Sequence, residues 1–277
     1  MLRRVSLGLR LMVAGGLVSA LLAVSSGKAE AQVTEAGSLA MRWNDCYGGT
    51  GVQSRNFACD TNSGVEALVI SVYMPVAVPQ LNGADADIQI VTTGGAMPSW
   101  WQYQTGGCRA ASPAQITGSF TPPAGYSGCT DYWGANAAGG LAFNYPNGGL
   151  NTNARARFVC STVGTRSVPA GSVIFIGQVV FTHQRTVGTG SCAGCPTGTC
   201  IGLARVGLTQ PPGVGDFQTR TPIPGTDSDV VGWQMSGVSM TYVNFNQGNT
   251  LTRTFTGCTS ATDAARPTWG AIKRLYH

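Results

Sequence analysis

Apolar residues in this chain gather in short alternating or continuous runs, and Gly, Pro, Asn and Ser separate one run from the next. That rhythm predicts strands joined by turns. A first strand is expected over Ser38–Trp43, closing in the polar turn Asn44-Asp45. Residues 65–78 form the clearest strand, rich in Val, Ile and Leu and preceded by Asn62-Ser63-Gly64. Being apolar on both faces, it should lie inside a sheet, with Pro75 marking where pairing stops. Residues 85–92 alternate, with Ala86, Ile88 and Ile90 on one side and Asp87, Gln89 and Val91 on the other, which predicts a half-exposed strand. The stretch 94–153 reads as irregular. Further strands are expected over 154–163, 172–183, 200–210 and 230–245, the last breaking near Gly237. Many short strands with almost no helical period predict an all-β fold, a two-sheet antiparallel β-sandwich. The end of the chain differs: a linker-like 260–267 leads into 268–277, where Trp269, Ile272 and Tyr276 would share one face of a short C-terminal helix.

The first 31 residues follow another pattern. Arg3, Arg4 and Arg10 precede an apolar run over 11–24, and Ala29-Glu30-Ala31 supplies a small-x-small cleavage pattern. This predicts a secretory signal peptide cut before Gln32. The apolar run is too short to span a bilayer and no later run is longer, so no membrane span is expected. The domain reading is therefore a signal peptide at 1–31, a sandwich at 32–259, and a linker with a tail at 260–277. The tail is read either as a docked helix or as a sorting tag.

Export changes the meaning of the charge. Of 17 basic and 12 acidic residues, Arg3, Arg4, Arg10, Lys28 and Glu30 lie in the leader. The remaining 13 basic and 11 acidic residues are nearly balanced and form no large basic cluster, which argues against nucleic acid as a partner. The 39 Gly and 14 Pro suit turns and disfavour helices, while 43% apolar content is ample for a packed core.

All nine cysteines follow the leader, and an oxidising compartment predicts disulfides for Cys46, Cys59, Cys108, Cys129, Cys192, Cys195, Cys200 and Cys258. Loop length suggests Cys46–Cys59 and Cys108–Cys129 as local staples, each worth ~3 kcal/mol in the chain-entropy account. Pairing among the later cysteines is left open. Cys160, within the apolar run 157–163, is the expected free thiol.

Two resemblances add to this. The blocks Pro79-Gln-Leu-Asn-Gly83, Asp87-Ile-Gln-Ile90 and Met97-Pro-Ser-Trp-Trp101, with Val168-Pro-Ala-Gly-Ser172 leading into 175–181, resemble cohesin-like and carbohydrate-binding sandwiches. The blocks Trp43-Asn-Asp-Cys46, 56–64, Cys192-Ala-Gly-Cys195 and Thr268-Trp-Gly-Ala-Ile-Lys-Arg-Leu-Tyr276 resemble an uncharacterised family of exported bacterial proteins. The first implies a fold; neither implies a catalytic residue.

Catalytic chemistry finds little to work with. His183 and His277 are the two histidines, and His183 reads as a solvent-facing residue at a strand end, with no Gly-x-Ser-x-Gly elbow. A glycosidase pair would have to use aspartates, of which Asp131 beside Tyr132-Trp133 is the best placed; its plain reading is a turn residue. Cys192-x-x-Cys195 with Cys200 reads as a disulfide-tied loop and not as zinc ligands. Asp85-x-Asp87, Asp227-x-Asp229 and Asp60-Thr-Asn62 offer oxygens of the kind calcium takes, though each alone reads as a solvated turn. No cofactor is otherwise expected.

The strongest binding signal is aromatic. Trp100, Trp101, Tyr103, Tyr132 and Trp133 lie in loops between cysteine-bearing segments, and rigid exposed rings stack on sugars or anchor partners. These observations predict a secreted or cell-surface, non-catalytic protein that binds polysaccharide or another cell-surface component. The alternatives are an adhesive protein that self-associates or binds a protein partner, and a glycoside hydrolase.

Overall fold

The computed structural model describes residues 33–110, 116–247 and 250–260. The leader, residues 261–277 and the expected C-terminal helix lie outside the described residues. Among the described residues fourteen strands run in the order β1 (Val33–Glu35), β2 (Ser38–Trp43), β3 (Ser54–Arg55), β4 (Val65–Met74), β5 (Val78–Thr92), β6 (Ile116–Ser119), β7 (Ala138–Asn144), β8 (Asn153–Val168), β9 (Ser172–Thr182), β10 (Thr199–Thr209), β11 (Asp216–Thr219), β12 (Val230–Trp233), β13 (Val238–Gln247) and β14 (Thr250–Ser260). The chain is all-β, as its punctuation predicts.

One sheet has the order β2-β4-β9-β6, so the apolar β4 is interior and ends at Met74, just before Pro75. The larger sheet runs β1-β11-β10-β5-β8-β7, with β12 sharing the edge of β10 and pairing β3. Most pairs are antiparallel, but β1 with β11 and β12 with β3 are parallel, a correction to the purely antiparallel expectation. The inward faces of the two sheets form a common core, with Leu39, Trp43, Leu68 and Ile70 on one side and Ile88, Phe158, Ile201 and Leu203 on the other. This is a β-sandwich-like arrangement. Phe158 sets its spacing: a Cβ on Gly177 would collide with that ring, and one on Gly118 would lie 2.9 Å from it.

The ribbon β13–β14 adds a layer on the outer face of the larger sheet. Gln89 accepts the Phe255 amide at 3.0 Å and donates to the Arg253 carbonyl at 3.0 Å, and Asn153 donates to the Phe255 carbonyl at 3.1 Å. Residues 85–92 are thus not half-exposed. Gln89 and Val91 are buried because the ribbon covers them, and Asp87 because Arg155 does.

Four disulfides join Cys46–Cys129, Cys59–Cys195, Cys108–Cys192 and Cys200–Cys258, and Cys160 is free and buried. All eight expected cysteines pair, but the local staples Cys46–Cys59 and Cys108–Cys129 are not formed. The sheets bring distant loops together, so the bonds close separations of 58 to 136 residues. Among the described residues no helix is long and apolar enough to cross a membrane.

Candidate functional site

The aromatic residues expected to meet a ligand are mostly inside. Trp100, Trp101 and Trp133 are fully buried and Tyr103 is 7% exposed. In an extended segment Trp100 and Trp101 would point to opposite sides, but Ser99–Trp101 is a 3-10 turn. Both rings therefore turn inward. Trp100 stacks on Trp233 at 5.1 Å, and Trp101 meets Trp100, Phe181 and Trp233 edge-on. The guanidinium of Arg109 lies 3.9 Å over the Trp100 ring and donates to the Tyr103 hydroxyl at 2.7 Å. Burial pushes that hydroxyl up to about 12 against the opposing pull of Arg109. Trp133 Nε1 donates to the Phe175 carbonyl at 2.7 Å, and half-buried Tyr132 bonds Ser172 Oγ at 3.2 Å. These rings belong to the common core between the sheets, under disulfide-tied loops, and present no exposed row.

The other candidates are also committed. His183 is buried, not solvent-facing: Phe57 stacks on it at 3.7 Å, Nδ1 lies 2.8 Å from the Ser63 carbonyl and Nε2 lies 3.3 Å from Glu66. Asp131 Oδ1 accepts the Trp133 amide at 2.8 Å, as a turn aspartate does. Of the calcium candidates, Asp85 and Asp87 pair with Arg205, Arg157 and Arg155; Asp229 pairs with Arg253 at 2.6 Å; and Asn62 Oδ1 accepts two backbone amides. Side-chain oxygens of these four residues are engaged by the protein.

One aromatic surface that does face solvent lies on the outer side of the smaller sheet. Ser38 of β2, Tyr73 of β4 and Val173 of β9 stand in register across three strands. Tyr73 alternates with buried Val72 and Met74, so its ring must point outward, and it is 38% exposed.

One wall beside this row is a fixed loop pair. Asp45 Oδ1 accepts the amides of Cys46 and Ser127 at 2.7 Å each, while Oδ2 accepts the Thr50 amide at 2.7 Å and the hydroxyls of Thr50 and Ser127 at 2.9 and 2.8 Å. Burial alone would raise this carboxyl's pKa, but the hydrogen bonds from Ser127, Thr50 and Cys46 together hold it well below the usual carboxylate range. Cys46–Cys129 bonds the same two loops covalently. Their backbones approach so closely that a Cβ on Gly128 (φ +80°) would lie 2.6 Å from the Gly49 nitrogen. The loop pair holds out Tyr47, whose ring carries the Arg42 guanidinium at 4.8 Å.

The opposite wall is Ile223 and Pro224. Ser228 fixes this turn by accepting the Ile223 amide at 2.8 Å and donating to the Leu39 carbonyl at 2.6 Å. The resulting cleft has a volume of about 520 Å³. Its lining combines two phenol rings, aliphatic side chains, the Ser38 hydroxyl and two glycines, and includes no acid or base. Such a surface suits a neutral ligand with an apolar face, such as the C–H face of a sugar ring. Tyr73 could have been singled out from its place in the strand alternation. Tyr47 carried no signal beyond lying between two cysteines.

No known protein family matches the chain, and no curated protein is significantly similar to it.

Proposed function

We propose that this chain is an exported, non-catalytic binding module that recognises neutral polysaccharide, or another carbohydrate of a cell surface, in the cleft between Tyr47 and Tyr73. The observation carrying this reading is a cleft of about 520 Å³ lined by exposed Tyr73 and half-buried Tyr47, with both walls held by hydrogen bonds and one by a disulfide as well. Preorganised aromatic faces lose little entropy when a ring docks on them. Export through a signal peptide at 1–31 agrees with the four disulfides. The likeness to cohesin-like and carbohydrate-binding sandwiches, and to exported bacterial proteins with a similar tail, belongs to the same proposal.

The test is retention on an array of neutral polysaccharides. Tyr73→Ala should weaken binding to the retained glycan by about tenfold, the size expected for losing an aromatic contact of ~1.5 kcal/mol. Unchanged affinity in a double Tyr47→Ala, Tyr73→Ala variant would remove the reading.

A second reading, self-association, is favoured by β13. Tyr242, Val243 and Phe245 are 43%, 44% and 44% exposed on a two-stranded ribbon. Such strands pair with other chains unless blocked. Under this reading sedimentation should show a concentration-dependent oligomer that Phe245→Lys disperses. A wild-type monomer at all concentrations would exclude it.

A further inference from the structure

The outer face of the larger sheet carries a second surface of different chemistry. Arg155 and Arg157 of β8 point outward, two residues apart, which spaces them about 7 Å along the strand. Each reaches diagonally to a carboxylate of β5: Arg155 Nε lies 2.6 Å from Asp87 Oδ1, and Arg157 lies 3.5 Å from Asp85. Asp85 also holds Arg205 of β10. The carboxylates lie beneath the guanidiniums. The side chains of Asp87 and Asp85 are 2% and 17% exposed, against 43% and 56% for Arg155 and Arg157. What solvent meets is therefore cationic, although the cluster as a whole carries only one excess positive charge.

Three adjoining depressions follow this line, of about 260, 180 and 260 Å³, the first two sharing Arg155 and the last two Arg157. Gly140 and Ala142 of β7 make a flat floor at one end, and a Cβ on Gly140 would meet nothing within 4 Å. At the other end Thr252, Thr254 and Asn153 supply hydroxyls and an amide. Asn153 is 1% exposed, and its Oδ1 has no hydrogen-bond partner among the described residues. A guanidinium has five N–H donors; Arg155 directs two of its groups, Nε and Nη2, at Asp87, so donors remain for a ligand.

We propose that this groove is a binding site, separate from the tyrosine cleft, for a linear polysaccharide that bears carboxylates. Fixed guanidiniums in a row match carboxylates along a chain. The neutral amide and hydroxyls at one end of the row match sugar hydroxyls. An acidic peptide would leave those groups less well used, and a nucleic acid would require far more positive charge.

Polygalacturonate is the probe. The wild-type protein should bind it at low salt and release it at high salt. Arg157→Gln should weaken binding by about tenfold, the loss expected for one charge-assisted contact. It should do so without unfolding the protein, because Asp85 keeps Arg205. Ala142→Trp, which fills the groove and touches no charge, should do the same, and circular dichroism checks that both variants stay folded. Tyr73→Ala should leave polygalacturonate binding unchanged, so this proposal and the tyrosine cleft fail separately. Absence of wild-type binding, or unchanged binding in both groove variants, would overturn the proposal. Equal affinity for poly-glutamate would overturn the choice of polysaccharide.

Discussion

Exchanging Asp45 for asparagine is expected to destabilise the fold by about 3 kcal/mol and to loosen the wall that carries Tyr47. The substitution keeps the shape but turns the Oδ2 acceptor into a donor. That position faces the Thr50 amide and the hydroxyls of Thr50 and Ser127. The hydroxyls can rotate; the amide cannot, and it is left facing another donor. Urea unfolding under non-reducing conditions measures the loss, and a midpoint equal to wild type would show that Cys46–Cys129 fixes these loops alone. The same carboxylate sets an acid limit. Its folded-state pKa is depressed, so its stabilisation is complete above its unfolded value near 4. It is then lost progressively as pH falls below that value toward the lower folded one. Wild type should therefore lose more stability than Asp45→Asn on acidification through this window.

Gly177→Ala should cost as much, about 3 kcal/mol, for an opposite reason. Nothing polar is disturbed; a methyl group enters space that the Phe158 ring already fills. The ring is hemmed in: Gly118 lies against it, Leu141 is its cross-strand neighbour, and Phe120 packs on it at 5.2 Å. Thermal unfolding should show a lower midpoint. In the Gly177→Ala background, Phe158→Leu should cost less than it does in wild type, and a double-mutant cycle measures that coupling. Purely additive effects would mean that the two sheets are not spaced by this ring.

The strands legible in the sequence are those whose own residues decide them. Residues 38–43 and 65–74 are apolar enough to need burial whatever surrounds them. β14 escaped notice because Thr250–Ser260 alternates Thr with a few large residues, and Arg253, Phe255 and the disulfide-bonded Cys258 anchor it inward. β7 was lost for a similar reason in a Gly-rich stretch. Its Leu141 and Phe143 pack on the core while Gly140 and Ala142 stay outside. Cysteine pairing was illegible because proximity comes from strand pairing and not from distance along the chain. Cys59 finds Cys195 across 136 residues once both loops hang from sheets that share a core. The aromatic misreading has a local cause. The turn at Ser99–Trp101 folds two neighbouring rings to one side, which an assumed extended backbone forbids. The Tyr47–Tyr73 cleft needs loop, sheet and turn together, so no single segment announces it.

Cys160 has a bearing on how the other eight sulfurs keep their partners. It is 5% exposed, its Sγ lies 3.6 Å from the Ile176 carbonyl, and burial pushes its pKa up to about 12. At neutral pH it supplies almost no thiolate, the species that attacks a disulfide. Once the sheets close, the odd sulfur is both sterically shut away and chemically silent. The molecule then has no internal nucleophile to scramble its bonds, and none to tether it to a neighbour.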